Sequence, residues 1–265
     1  MVKKEHLARD AREYSVLALD GAYYLAATIA IQDIDAYSAR DLGKTRDMQV
    51  GMLPPKLAQT MINLALGDTL PTEARVYDPF CGLGTVLIES IQMGASQVYG
   101  SDIEPAMTEA TKKSVGEYLP VVASNAVAHI ETLDARNITK FSRFSEVTHM
   151  VTEGYLGRVF TKGTMTSEAV KIEKSHLLDI YRNMFNALRE SAFSGTIVMS
   201  IPCWEVPRDA IYFSEFFEVL RDTKFQSIPL IQGISTMKLT KYGTLVYRRP
   251  DQLVGREIVK IQRVK

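Results

Sequence analysis

The sequence predicts an α/β chain built on a mostly parallel, doubly wound sheet with helices on both faces. Three observations carry this expectation. An apolar strand at Val76 and Tyr77 runs into Asp78 and a glycine turn, Asp78-Pro-Phe-Cys-Gly82-Leu-Gly84-Thr85, and an apolar-periodic helix starts at once with Val86, Leu87, Ile88 and Ile91. A second strand, Val98-Tyr-Gly-Ser101-Asp102, ends in an acid about twenty residues beyond the turn. From there strand-like and helix-like segments alternate, which is the order of parallel strands joined by crossover helices.

The first segment reads differently from the rest. Residues 15–19 and 23–31 are apolar and β-rich around Asp20-Gly21, a two-residue hairpin signal. This β element ends near Asp35, and a charged connector from Arg40 to Asp47 follows. Residues 1–50 are therefore expected to form a short N-terminal extension, and 51–265 the main domain. Gly51-Met-Leu-Pro54-Pro55 opens a helix with Pro55 in its first turn and Leu57, Met61, Ile62 and Leu64 on its apolar face. Thereafter the pattern predicts strand 75–78, helix 85–93, strand 97–102, helix 105–118, strand 121–123, helix 124–128, strand 129–133 and strand 147–152. Helix 167–190, strand 195–201, helix 208–221, strands 226–231 and 243–248 and an alternating tail through Ile258, Val259 and Ile261 complete it.

A chain of 265 residues is long enough to bury a sizeable core without staples. Lys+Arg and Asp+Glu both number 31, so no global basic field exists to hold a nucleic acid. A nucleic-acid partner would need local patches. Two basic clusters qualify: Lys3, Lys4, Arg9 and Arg12 at one end, and Arg248, Arg249, Arg256, Lys260, Arg263 and Lys265 at the other. An ordinary solvated surface explains them equally well. Cys81 and Cys203 have no metal-like spacing, and the four histidines (His6, His129, His149, His176) share no ligand pattern, so no metal is expected. Nothing resembles a signal peptide or a membrane span, and a soluble, cytoplasmic protein is expected.

The glycine turn also indicates what it binds. A dinucleotide fingerprint wants a third glycine three residues after Gly84, where Leu87 stands. An acid before the first glycine suits a ligand with a cationic amino-acid end, such as S-adenosylmethionine (SAM). Asp102, at the end of the next strand, would accept the ribose hydroxyls.

Two stretches resemble a known family. Gly51-Met-Leu-Pro-Pro-Lys56-Leu-Ala58-Gln59, running on through Met61-Ile-Asn63-Leu-Ala65 to the glycine turn, and the tail Tyr247-Arg-Arg249-Pro250-Asp-Gln252-Leu-Val-Gly255-Arg256-Glu257-Ile258 are similar to the catalytic domain of tRNA guanine-N2-methyltransferases of the position-ten type. The resemblance implies a class I SAM-methyltransferase (Rossmann-like) fold: a seven-stranded sheet finished by antiparallel strands. It implies that Asp78, Phe80, Gly82, Gly84 and Thr85 hold the methionine end of SAM, that Asp102 binds the ribose, that Asp134 accepts from the adenine amino group, and that Ile103 and Ala135 flank the ring. Asp134 is also a plain candidate for a turn cap. The substrate implied is an exocyclic amine, guanine N2 in tRNA; adenine N6 or cytosine N4 in DNA is the alternative, and a catalytically silent SAM- or RNA-binding module is a third reading.

The chain departs from the family's Asp/Asn-Pro-Pro-aromatic catalytic turn. In its place stand Thr152, Glu153, Gly154 and Tyr155. An exocyclic amine is a poor nucleophile because its lone pair is delocalised into the ring, and acceptors for its two protons localise that pair for attack on the SAM methyl. Here the Gly154 carbonyl is one acceptor and Tyr155 a stacking platform for an extruded base. Thr152 is a weaker acceptor than a carboxylate. Glu153 either takes the acid's role by a one-residue slide of the turn or is a solvated loop charge. The family's RNA-binding THUMP domain has no counterpart in residues 1–50, so RNA recruitment would fall to the N-terminal element, the basic tail or a partner protein. Trp204 is either a base-pocket wall or a core or rim residue, and the loop 161–166 has the length of a lid.

Overall fold

The structure is a computed structural model that describes residues 14–30, 32–37, 53–122, 124–191, 193–206, 209–231, 239–249 and 252–264. The N-terminal basic cluster, His6 and the connector from Arg40 to Asp47 lie outside the described residues. The chain divides into two compact units, Met1–Gly43 and Lys44–Lys265.

In the first unit, β1 (Tyr14–Leu19) pairs antiparallel with β2 (Ala22–Ala27). Asp20 and Gly21 join them, both at positive φ (50° and 79°). Two left-handed residues make the hairpin turn whose twist matches the strands, and a short polar Asp followed by Gly adopts it at little cost.

The second unit opens with α1 (Pro55–Leu66). Pro55 needs no N–H donor there, and the carbonyl of Pro54 accepts from Leu57 and Ala58 at 2.9 and 3.0 Å. There follow β3 (Arg75–Asp78), α2 (Thr85–Gln92), β4 (Gln97–Asp102), α3 (Pro105–Val121), β5 (Val127–Thr132) and a 3₁₀ turn at Ala135–Lys140. The rest is β6 (His149–Glu153), α4 (Ser167–Glu190), β7 (Thr196–Val206), β8 (Asp209–Ile211), α5 (Glu215–Asp222), β9 (Phe225–Ile228), β10 (Leu245–Tyr247) and β11 (Val254–Arg263).

The main path through the sheet is β10-β11-β7-β6-β3-β4-β5, seven strands, with β8 added beside β7 and β9 beside β11. The pairings among β5, β4, β3, β6 and β7 are parallel and those of β8 to β11 antiparallel. Because side chains alternate along a strand, the register sends Val76, Val98, Val151 and Val198 to one face, against α1, α2 and α3. It sends Tyr77, Tyr99, Met150 and Ile197 to the other, against α4 and α5. The chain winds outward from β3 to β5, then crosses back to β6, so the strand order reverses between β3 and β6. Clefts form at that switch point, beyond the carboxyl ends of the strands.

Three expectations fail locally. Among the described residues no strand stands at 121–122 and no helix at 124–128: α3 runs through Pro120 to Val121 and β5 begins at Val127. Pro120 removes one i→i−4 bond, but it stands so near the end that the loss falls in the final turn, and the helix stops one residue beyond it. The expected helix 208–221 is instead β8 and the shorter α5, because Asp209–Ile211 pair with Trp204, Glu205 and Val206 of β7. No helix among the described residues is long and apolar enough to cross a membrane.

Candidate active site

The carboxyl ends of β3, β4 and β6 deliver Asp78, Asp102 and Glu153 into one cleft of about 540 Å³. Phe80, Gly82, Thr85, Ile103, Asp134, Ala135, Gly154 and Tyr155 line the same cleft. Of the residues singled out by sequence, Gly84 and Thr152 stand behind its wall. Gly84 begins α2 at φ 81°, where an added Cβ would meet Thr111 Cγ2 at 2.9 Å, so its place is set by packing as well as by its backbone. Thr152 is fully buried and its hydroxyl donates to Asp78 Oδ1 at 2.5 Å. It does not line the cleft: its side chain is buried and its hydroxyl hydrogen goes to Asp78.

The glycine turn is wired internally. Phe80 N–H donates to Asp78 Oδ1 (3.0 Å), Cys81 N–H to Ser101 O (2.9 Å), Gly82 N–H to Asp102 Oδ2 (3.0 Å) and Gly84 N–H to Cys81 O (2.7 Å). A phosphate cradle would leave such donors pointing at the ligand. Here those of Phe80 and Gly82 orient two carboxylates instead, and those of Cys81 and Gly84 close on main-chain carbonyls. Asp78 is buried, and burial pushes its pKa up to about 7; the donors Thr152 and Phe80 oppose the rise, while the charges of Asp102 and Glu153 add to it. Burial also raises Glu153, opposed by Arg256. Bringing a positive charge into this cleft relieves the repulsion, and bringing a negative one aggravates it. The donor set thus fits a cationic ligand.

Glu153 is half of an ion pair. Its Oε1 accepts from Nε of Arg256, a side chain only 2% exposed. Tyr181, from α4, donates its buried hydroxyl to the Tyr155 carbonyl at 2.7 Å and so pins the turn after β6. Gly154 has room for nothing larger: an added Cβ would lie 2.6 Å from Tyr181 Oη and 2.9 Å from Ser200 O. The Tyr155 ring meets His176 edge-on at 6.0 Å, and both line the cleft. Asp134 caps its 3₁₀ turn through Arg136 N–H and forms a two-pronged pair with the Arg136 guanidinium, which holds its carboxyl below the usual range.

Sequence reasoning overlooked Arg256, Tyr181, His176 and Arg136 as site residues. It assigned Arg256 to a basic surface tail, but that tail is largely consumed internally: Arg248 pairs with Glu205, and Arg263 caps the carbonyls of Arg189 and Ser191 at 2.6 and 2.8 Å. Trp204 does not line the main cleft. It is buried edge-to-face on Phe213 beside a separate cavity of about 290 Å³. The loop 161–166 is knit by Thr161–Thr164 hydrogen bonds, and Thr166 caps α4.

Comparison with known proteins meets this geometry. The family model described as UPF0020, RMKL-like, methyltransferase domain matches residues 43–199, more than half of the chain. The chain belongs to this family. The cofactor of such a methyltransferase domain is S-adenosylmethionine, whose sulfonium and ammonium groups suit the acidic cleft.

Among curated proteins, the chain is similar to a tRNA (guanine(10)-N2)-dimethyltransferase of Methanothermobacter thermautotrophicus, with 42% identity over 71 residues, 26% of this chain and 19% of that protein. A second protein of that name, from Methanocaldococcus jannaschii, is 30% identical over 129 residues, 48% of this chain and 34% of that one. The chain thus aligns with 19% and 34% of these relatives' lengths. A type II methyltransferase of Kocuria varians, M.MvaI, is 35% identical over 80 residues, 30% of this chain and 17% of that one. Among solved structures, TrmN from Thermus thermophilus superposes with a TM-score of 0.56 at 17% identity, over 91% of this chain and 57% of that one, a likeness of fold.

Proposed function

We propose that the chain transfers a methyl group from SAM to an exocyclic amine of a nucleic-acid base, guanine N2 in tRNA. The observation that carries this reading is the position of Glu153. It ends β6 in the same cleft as Asp78 and Asp102 and is followed directly by Gly154 and Tyr155. The names of the two archaeal relatives support the choice of guanine in tRNA.

SAM, when bound, supplies an electrophilic methyl on a sulfonium. Asp78 and the turn at Gly82, with Phe80 and Thr85, would hold its amino-acid end, Gly84 shaping the turn from behind the wall, and Asp102 would keep lone pairs for the ribose hydroxyls. Ile103 and Ala135 flank the adenine, and Asp134 reaches its amino group while sharing its carboxylate with Arg136. Across the cleft, Glu153 and the Gly154 carbonyl accept the two N–H hydrogens of the incoming amine, which localises the nitrogen lone pair for in-line attack. Tyr155 stacks on the extruded base. The N–C bond would form as the methyl–sulfur bond breaks, with its electron pair leaving on sulfur as a neutral thioether; the nitrogen would thereby become cationic, and Glu153 would take the proton it sheds. The reading goes with a cytoplasmic address and a tRNA partner; a recruiting protein would dock outside the cleft.

The test incubates the protein with methyl-labelled SAM and either total tRNA or genomic DNA, then digests to nucleosides for mass spectrometry. Labelled N2-methylguanosine from tRNA is expected. Labelled N6-methyladenine or N4-methylcytosine from DNA would overturn the substrate, and label in neither pool, with SAM binding verified by calorimetry, would overturn the enzyme.

A further inference from the structure

We propose that Arg256 is a positioning residue for the methyl transfer: from β11 it holds the carboxylate of Glu153 in place and charged, with the second oxygen left for the substrate amine. The inference rests on the reading of Glu153 given above.

Strand register builds the pair. Glu153 of β6 lies opposite Ser200 of β7, and Arg256 of β11 lies opposite Pro202, two residues further along β7. Alternation places Glu153, Ser200, Pro202 and Arg256 on one face of the sheet. Two inter-strand spacings separate β6 from β11, about 10 Å, a span that only long side chains close from both sides. The backbone of Arg256 is itself locked between Pro202 of β7 and Tyr247 of β10.

The chemistry fits the span. Arg256 is 2% exposed and the Glu153 side chain 19%, so each charge would be costly to bury alone. Nε of Arg256 engages Oε1 of Glu153, whereas Oε2 has no protein partner among the described residues. A glutamate has one more rotatable bond than an aspartate, and this turn has no proline to stiffen it. The guanidinium supplies the missing restraint. The other ionisable groups acting at this point are Asp78 from β3, whose own charge responds to Glu153 and Asp102, and the Tyr181 hydroxyl from α4. Among the described residues, Arg256 is the cation acting on Glu153.

The experiment uses Arg256→Met, Arg256→Lys, Glu153→Gln and the Met/Gln double variant of the full chain. Denaturant unfolding should show R256M and E153Q each less stable than wild type and the double variant better than the sum predicts; strict additivity would overturn the pair. In the methylation assay, R256M should lower kcat at least tenfold at neutral pH, with KM for SAM within about threefold. Its acidic limb should move up by about one to three pH units, as expected when a carboxylate loses an adjacent cation. R256K should keep the limb in place and recover much of the rate. An equal loss at every pH in R256M would mark a merely structural residue and overturn positioning. Should R256M not fold, the limb in R256K decides: a limb shifted upward despite the retained charge would overturn the proposal. A wild type that methylates no base, with the coupling intact, would overturn the underlying reading, and the positioning role with it.

Discussion

Asp78 sets the electrostatics of the cleft from inside the wall. Its carboxyl titrates at about 7 because it is buried, while Thr152 and the Phe80 N–H stabilise the charged form. A cationic ligand favours that charged form, so SAM should bind more tightly as pH rises through about 7 and should expel a proton when it binds below it. Calorimetry in two buffers of different ionisation enthalpy measures the proton directly. Thr152→Val removes a donor to Asp78 without changing side-chain bulk much, so the pH midpoint of SAM binding should move upward; an unmoved midpoint would show that Asp78 is not the group being read. At Gly154 the constraint is steric. An alanine there must displace Tyr181 or the Ser200 carbonyl, and Gly154→Ala should cost about 1–3 kcal/mol in unfolding free energy along with most of the methyl transfer.

At the scale of elements, the turn after β6 is the part most exposed to loss of function. It is held from below by the Thr152–Asp78 hydrogen bond, from α4 by Tyr181 and from β11 by Arg256. Tyr181→Phe keeps the aromatic packing on Phe213 and Phe216 but deletes the hydrogen bond to Tyr155 O. It should cost about 1 kcal/mol of stability and lower kcat more than SAM affinity, as steady-state kinetics would show. These elements also divide what the sequence disclosed from what it hid. The turn at 78–85 and α2 behind it were legible because they rest on local signals: an acid, two glycines, and an apolar-periodic run starting at Val86. The strand at 209–211 was not, because pairing with β7 decides it and the apolar stripe of Phe213, Phe216 and Phe217 reads as one long helix. The Glu153–Arg256 pair was not legible either, since it joins positions 103 apart that no local pattern links. An arginine in a basic tail and an arginine buried in a sheet look alike until the register is known.

For the whole molecule, the buried acids predict an uncommon pH dependence. Asp78, Glu153 and Glu257 are all raised by burial. A carboxyl whose folded pKa exceeds its unfolded value binds more protons when folded, so its stabilisation is present in mild acid and fades as pH rises through the folded pKa. For Asp78 that window runs from about 4, its unfolded value, to about 7. The unliganded protein should therefore melt at a higher temperature near pH 5.5 than near pH 8, and Asp78→Asn should flatten the difference. Saturating SAM should reduce it as well, because the ligand's charge replaces the proton. Differential scanning calorimetry with and without SAM checks all three outcomes.

The central claim is that one cleft separates cofactor capture, by Asp78 and Asp102, from amine activation, by Glu153. The direct measurement pairs calorimetry of SAM binding with single-turnover methyl transfer to tRNA for wild type and Glu153→Gln. We expect SAM affinity within about threefold of wild type and transfer slowed at least a hundredfold, about 2.7 kcal/mol of transition-state stabilisation. A variant that binds SAM and transfers the methyl group at the wild-type rate would contradict the account.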